Sequence, residues 1–172
     1  MNKDVTIIDN LLPVNLHKMC YDLITQDTCW QLSMSSVEDA HKIAGTTLFD
    51  LHKQIDSKTK SQTLASVIYQ MVRTKIPALP NDIRRIQLGA KAAGQDDIPH
   101  TDSQRDDRIT VLYHLNYEWN PLWGGPTIVN GVPYDYKPNR ALIYKSNILH
   151  GGKAGTGKMF RTYINYIIAD DR

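Results

Sequence analysis

IRRIQLGAKAAGQDDIPHTDSQRDDRITVLYHL, residues 83–115, sets the reading of the whole chain. Its two ends, Ile83–Leu88 and Ile109–Leu115, are short runs rich in β-branched and aromatic residues, the composition of strands. The segment between them is broken by Gly, Pro and Asp clusters. Three more strand-like runs follow, Thr127–Val129, Ala141–Tyr144 and Arg161–Ile168, separated by NPLWGGP, NGVP and KPN. Such spacing leaves no room for helices between the strands. The sheet is therefore expected to be mostly antiparallel, a sandwich or a barrel.

Upstream the period changes. Leu16, Met19, Cys20, Leu23 and Ile24 form one apolar stripe of a helix that Pro13 opens. Leu64, Val67, Ile68, Met71 and Val72 repeat the spacing, and that helix is expected to stop before Pro77. A weaker pattern through Ala44, Leu48, Leu51 and Ile55 predicts a third helix, with Lys53–Thr63 as a flexible loop. The expected organisation is one domain over residues 1–172, with helical support over about 1–80 and a barrel core over about 83–168.

A chain of 172 residues can bury a core that takes up roughly 70% of its unfolded surface. Its net charge of +2 and lack of a basic stripe give no electrostatic footprint for nucleic acid. Two cysteines, Cys20 and Cys29, do not make a disulfide framework, and Cys20 falls on the apolar stripe of the first helix. The N-terminal residues MNKDVTIIDN contain no apolar signal core, and no segment has the length of a membrane span. A cytoplasmic protein in a reducing compartment is expected.

His100-Thr101-Asp102 is the most chemically informative part of the opening stretch. In extended backbone, residues two apart point the same way, so His100 and Asp102 present an imidazole and a carboxylate to one point. His150 follows the Ala141–Tyr144 run and supplies a second imidazole. Two histidines and one carboxylate form a facial set that holds Fe(II) and leaves positions open. A closed zinc site would more often use cysteine, and neither Cys20 nor Cys29 is near. Arg161 follows the last ligand, and its planar fork suits an acidic co-substrate. Arg161, Tyr163 and Asn165 alternate along the last strand, giving it one polar face. His17, His41 and His52 lack matching partners and are read as surface or core histidines.

Three segments together resemble the Fe(II)/2-oxoglutarate-dependent dioxygenases, particularly the prolyl 4-hydroxylase-like branch. They are IRRIQLGAKAAGQDDIPHTDS, ITVLYHLNYEWNPLWGGPTIV and PNRALIYKSNILHGGKAGTGKMFRTYINY, about half the chain. The resemblance implies a double-stranded β-helix, the jelly-roll or cupin-like barrel, in a mainly β fold with flanking α-helices. It implies that His100, Asp102 and His150 hold iron, that Arg161 pairs with the far carboxylate of 2-oxoglutarate, and that dioxygen is consumed. It also implies hydroxylation of a C–H bond, most readily of a prolyl residue in a peptide or protein. A free amino acid, another small metabolite or a nucleotide stays open as substrate, and so does a non-catalytic metal-binding barrel that binds or senses. Oligomeric state is not legible.

The chain departs from that branch in places. Where the family often carries Tyr-Leu-Asn after the first ligands, this chain has His114-Leu115-Asn116. His114 stands either as the hydrogen-bond donor to 2-oxoglutarate in that tyrosine's place or as a buried polar residue. The family's other frequent tyrosine is absent near Gln87 and Leu88, and Pro126 replaces the acidic residue after the paired glycines. Together with Arg161 and His114, Tyr163 and Asn165 complete the expected co-substrate contacts.

GKAGTGK, residues 152–158, matches a phosphate-binding loop until Met159 stands where Ser or Thr would hold magnesium. A strand-like run follows it instead of a helix, so it is read as a turn. Trp119 and Trp123 either rim the entrance or pack the barrel edge. The loops Ala90–Pro99 and Ser103–Arg108 are candidates for a mobile lid.

Overall fold

The computed structural model describes residues 4–33 and 43–170, so His41 lies outside the described residues. In chain order the elements are β1 (Val5–Ile8), α1 (Val14–Asp27), β2 (Gln31–Ser33), β3 (Ile43–Asp50), β4 (Ile55–Asp56), α2 (Lys60–Lys75), β5 (Asp82–Lys91) and β6 (Arg108–His114). A 3-10 turn at Pro121–Trp123 precedes β7 (Thr127–Val129), β8 (Val132–Tyr134), β9 (Ala141–Lys145), β10 (His150–Gly152) and β11 (Arg161–Ala169).

The strands form two antiparallel sheets. The larger runs β1-β9-β6-β11-β5-β3-β2, with β4 paired to β3, and the smaller runs β10-β7-β8. One face of the large sheet is apolar: Ile86, Leu88, Val111, Tyr113, Ile164, Tyr166 and Ile168 pack with Cys20 and Ile24 of α1 and with Ala65, Ile68, Tyr69 and Val72 of α2. The other face turns toward the small sheet, where Leu112, Val129, Leu142 and Tyr144 make a second, smaller core. The arrangement is a mainly β jelly roll with helices on one side.

Alternation along the central strands explains this division, because successive strand side chains point to opposite faces. In β11, Ile164, Tyr166 and Ile168 go to the helices, while Arg161, Tyr163 and Asn165 go inside. Their partners in β5 are Lys91, Gly89 and Gln87, and Tyr163 faces His114 of β6. Polar residues thus line the inside of the barrel.

Both well-patterned helices form, although their buried faces are rotated from the expected stripes. Met19, Leu23 and Val67 are exposed, and the buried faces centre on His17, Cys20 and Ile24 and on Ala65, Ile68, Tyr69 and Val72. Pro13 stands at the N-cap position of α1 without a side-chain capping bond, whereas the Thr59 hydroxyl accepts from the Gln62 N–H at the start of α2. The expected third helix is a strand. Ala44, Leu48, Leu51 and Ile55 belong to β3, the turn after it and β4, so the first third is not purely helical. The β-branched Thr46 and Thr47 favour extended backbone, and Gly45 permits a close strand approach: a Cβ there would stand 2.6 Å from the Leu88 carbonyl oxygen of β5. A register shift between Thr47 and Phe49 also disrupts strict alternation, which hides the strand from a period-two reading. Lys53–Thr63 accordingly contains β4 and the capped start of α2 rather than a free loop.

Candidate metal centre and co-substrate pocket

His100 lies just outside the small sheet but pairs with its edge. The His100 N–H donates to the His150 carbonyl and the His150 N–H to the His100 carbonyl, both at 2.8 Å. Asp102 is held next to this bridge by its own N–H, which donates to the Ser146 carbonyl at 3.0 Å. His100, Asp102 and His150 consequently offer ligand atoms that all lie within 4.8 Å of one another.

Each imidazole is oriented in the same way. The Nδ1 of His100 donates to the Ile98 carbonyl at 2.9 Å, and the Nδ1 of His150 to the Ile148 carbonyl at 2.9 Å. With Nδ1 engaged as a donor, the Nε2 lone pair is left for a metal. The buried Asp102 carboxylate accepts from Thr110 Oγ1 at 2.8 Å, Arg85 Nη2 at 3.1 Å and Asn165 Nδ2 at 3.2 Å. Burial alone would raise its pKa, but His150, Arg85 and Thr110 outweigh burial and hold it well below the usual carboxylate range. His150 shows the complementary effect: burial lowers its pKa, and Asp102 at 3.3 Å more than reverses that. Two Nε2 atoms and one ionised, pre-oriented carboxylate fit a divalent iron ion with open positions.

Arg161 is the first residue of β11 and is fully buried. Its Nε donates to the Gly125 carbonyl at 2.8 Å and its Nη2 to Thr127 Oγ1 at 2.7 Å, while the guanidinium lies over the rings of Tyr136 and Tyr163. Asn116 fixes the start of this strand, accepting from the Thr162 N–H at 2.8 Å and donating to the Phe160 carbonyl at 2.9 Å. Tyr163 lies across Gly89, where a Cβ would be 2.4 Å from its hydroxyl. His114 is fully buried and stacks on Tyr136 at 4.3 Å. Its Nε2 meets no hydrogen-bond partner among the described residues. Burial and then the Arg161 charge keep its pKa well below that of a free imidazole, so it is neutral.

Asn165, expected with Arg161 among the co-substrate contacts, donates through Nδ2 to the Asp102 carboxylate. It stands four positions along the strand from Arg161, a rise of about 13 Å. His17 is a buried core histidine whose Nε2 bonds the Leu115 carbonyl, and His52 is exposed. Arg85, Lys91, Thr110 and Asn116 were not singled out from sequence. Arg85, Gln87, Gly89 and Lys91 alternate with Ile86, Leu88 and Ala90, a pattern that a strand with one face in water shares.

The Ala90–Pro99 loop is bonded to the Gly152–Ala154 segment, whereas the Ser103–Arg108 loop carries ion pairs of its own. Asp97 pairs with buried Lys91 and accepts from the Gly152 N–H at 2.7 Å; Asp96 accepts from the Ala154 N–H at 2.7 Å. Arg108 and Arg105 both pair with Asp107. In the 152–158 turn, a Cβ at Gly155 would fall 2.5 Å from the Trp119 ring, and one at Gly157 2.3 Å from the Trp123 ring. Those glycines give two tryptophans a seat at the barrel edge; they do not cradle phosphate.

No protein-family profile matches the chain, and no curated protein does. Solved structures do. A 2-oxoglutarate–Fe(II) oxygenase family oxidoreductase from Burkholderia pseudomallei superposes with a TM-score of 0.74 at 14% identity, covering 99% of this chain and 87% of that one. A prolyl hydroxylase from Trichoplax adhaerens, in complex with a hypoxia-inducible factor peptide fragment, gives 0.71 at 16% identity and covers 99% and 85%. The viral collagen prolyl hydroxylase of Paramecium bursaria Chlorella virus-1, in its 2-oxoglutarate complex, gives 0.70 at 13% identity and covers 98% and 97%. The chain has the fold of the 2-oxoglutarate–Fe(II) oxygenases. Within that oxygenase fold, the expected ligands and the buried arginine share the inside of the barrel. Among the described residues, no helix is long and apolar enough to cross a membrane.

Proposed function

We propose that this chain is an Fe(II)- and 2-oxoglutarate-dependent oxygenase that hydroxylates a C–H bond, with a prolyl residue of a peptide or protein as substrate. The observation that carries the reading is the convergence of His100, Asp102 and His150 within 4.8 Å on the barrel face that also buries Arg161. When bound, iron, dioxygen and 2-oxoglutarate together supply the oxidising power, with release of succinate and carbon dioxide. His100 and His150 bind the metal through Nε2 and Asp102 through a carboxylate oxygen. Arg161 fixes the far carboxylate, presenting the guanidinium edge that Gly125 and Thr127 leave unbound. His114 donates from Nε2 to the co-substrate, the group otherwise buried without a partner. Leu112, Leu142 and Tyr144 wall the interior and keep water from the reacting centre. Residues 1–172 act as a single catalytic domain in the cytoplasm.

Arg85 favours a second reading of the substrate. It donates to Asp102 from a β5 position six residues from Lys91, the strand partner of Arg161, and its side chain is 25% exposed. Its Nε is buried without a partner. A guanidinium there suits a small substrate bearing a carboxylate, such as a free amino acid. Incubating the iron-loaded protein under oxygen with peptide and amino-acid libraries tests both readings. Succinate formation coupled to the gain of one oxygen atom by a prolyl peptide is expected; gain only by free acids selects the second reading. Absence of both product and succinate with every substrate removes the catalytic proposal and leaves a binding barrel.

A further inference from the structure

Lys91 is the last residue of β5 and the cross-strand partner of Arg161. Two cations thus occupy facing positions of adjacent strands, both pointing inside, and both are about 1% exposed. Lysine is rarely buried so fully, and two such cations repel unless anions join them. Among the described residues, Asp97 is the anion bonded directly to this pair. Asp97 accepts from the Lys91 ammonium through Oδ1 and from the Gly152 N–H through Oδ2.

Gly152 marks the point of convergence. A Cβ there would stand 3.2 Å from Arg161 Nη1, 3.2 Å from Asp97 Oδ2 and 3.4 Å from Lys91 Cε. The absent side chain leaves backbone at the junction of the three groups. Nε and Nη2 of Arg161 are already engaged by Gly125 and Thr127, so the Nη1 edge is the one that faces this junction. The Lys91 ammonium also lies 5.9 Å from the centre of the Tyr163 ring, the same ring that Arg161 covers.

We propose that Lys91 is a second co-substrate-binding residue: with Arg161 it holds the far carboxylate of 2-oxoglutarate, and Asp97 is a built-in competitor that shares the Lys91 charge and tempers affinity. The inference rests on the function proposed above. With nothing bound, Asp97 supplies the counter-charge for Lys91. When the co-substrate carboxylate arrives, Lys91 divides its three N–H donors between that carboxylate and Asp97, while Arg161 contributes Nη1.

A purely structural Lys91–Asp97 clamp and a binding role make opposite predictions about sign. The test is calorimetric titration of 2-oxoglutarate into the anaerobic, Fe(II)-loaded full chain and its Lys91→Met and Asp97→Asn variants, with melting temperatures of each. Asparagine keeps an oxygen for the Gly152 N–H and loses only the charge. The binding role expects Lys91→Met to weaken 2-oxoglutarate about tenfold or more and Asp97→Asn to tighten it severalfold, although both variants melt lower. Weakening by both, or no change in either affinity, overturns the proposal and leaves a clamp. Should Lys91→Met fail to fold, Asp97→Asn decides alone: tighter binding supports the proposal, and weaker or equal binding overturns it. Wild-type protein that binds iron but no 2-oxoglutarate removes the proposed function itself, and this inference with it.

Discussion

His100 and His150 are paired across an antiparallel bridge, each backbone N–H donating to the other's carbonyl at 2.8 Å. Their rings are 4.7 Å apart as a result, with both Nδ1 atoms bonded to carbonyls two residues upstream. The geometry of the candidate metal site is therefore fixed by backbone pairing, and the side chains have little freedom left to lose on binding. The same pairing joins a loop of the large sheet to the edge of the small one.

Preorganisation extends to the carboxylate. Thr110 and Asn165 each donate to Asp102, at 2.8 and 3.2 Å. Thr110→Val and Asn165→Ala are each expected to lower Fe(II) affinity about 10–100-fold with little change in fold, whereas His100→Ala abolishes binding. Metal titration with circular dichroism as the fold control checks this. Unchanged affinity in both outer variants would mean that Asp102 needs no orienting partners.

Arg161 should act on a different step. Arg161→Ala is expected to raise the 2-oxoglutarate requirement about 10–100-fold, the loss of a charge-assisted contact, while Fe(II) affinity stays near wild type. Steady-state 2-oxoglutarate dependence together with metal titration separates the two. Loss of iron binding in Arg161→Ala would place the guanidinium's role at the metal instead.

His114 carries a pH prediction. Burial, then the Arg161 charge, depresses its pKa well below the ordinary 6.5, so the folded protein keeps it neutral as pH falls through that value. With iron saturating, 2-oxoglutarate affinity should be flat between about pH 6 and about pH 8. A step centred near 6.5 that disappears in His114→Phe would show instead that the ring titrates normally.

The N-terminal strand has its own pH signature. Asp9, just after β1, pairs with Arg140 at 2.6 Å and Lys137 at 3.1 Å before β9. The Arg140 hydrogen bonds, opposed by partial burial, lower its pKa from 3.8 to about 2. The folded pKa lies below the unfolded one, so the unfolded state binds more protons between them. The pair's stabilisation is present above 3.8 and is lost as pH falls toward 2. The effect is modest because Asp9 is partly solvated. Asp9→Asn should melt lower than wild type at neutral pH, and the gap should close across that acid window. A constant gap would assign the effect to packing.

Much of the fold was legible because β6, β9 and β11 announce themselves through β-branched and aromatic runs, and α1 and α2 through apolar stripes. β3 was not, because Ala44, Leu48, Leu51 and Ile55 imitate a helical stripe and the shift at Thr47–Phe49 blurs the strand period. β2, β8 and β10 are three residues each, too short to carry any period. At the site, His100, Asp102, His150 and Arg161 could be read from residue type and spacing. Arg85, Lys91 and Thr110 could not, because a polar residue facing a polar interior alternates in sequence just as one facing water does. Only the sheet pairing of Lys91 with Arg161, and the reach of Arg85 and Thr110 to Asp102, distinguishes the two.

The most direct test of the proposed centre is anaerobic titration of the Fe(II)-loaded protein with 2-oxoglutarate, followed in the visible spectrum. Binding of the keto acid to iron held by His100, Asp102 and His150 predicts a metal-to-ligand charge-transfer band that saturates at one equivalent and weakens in Arg161→Ala. A protein that takes up iron yet shows no band at saturating 2-oxoglutarate contradicts the account.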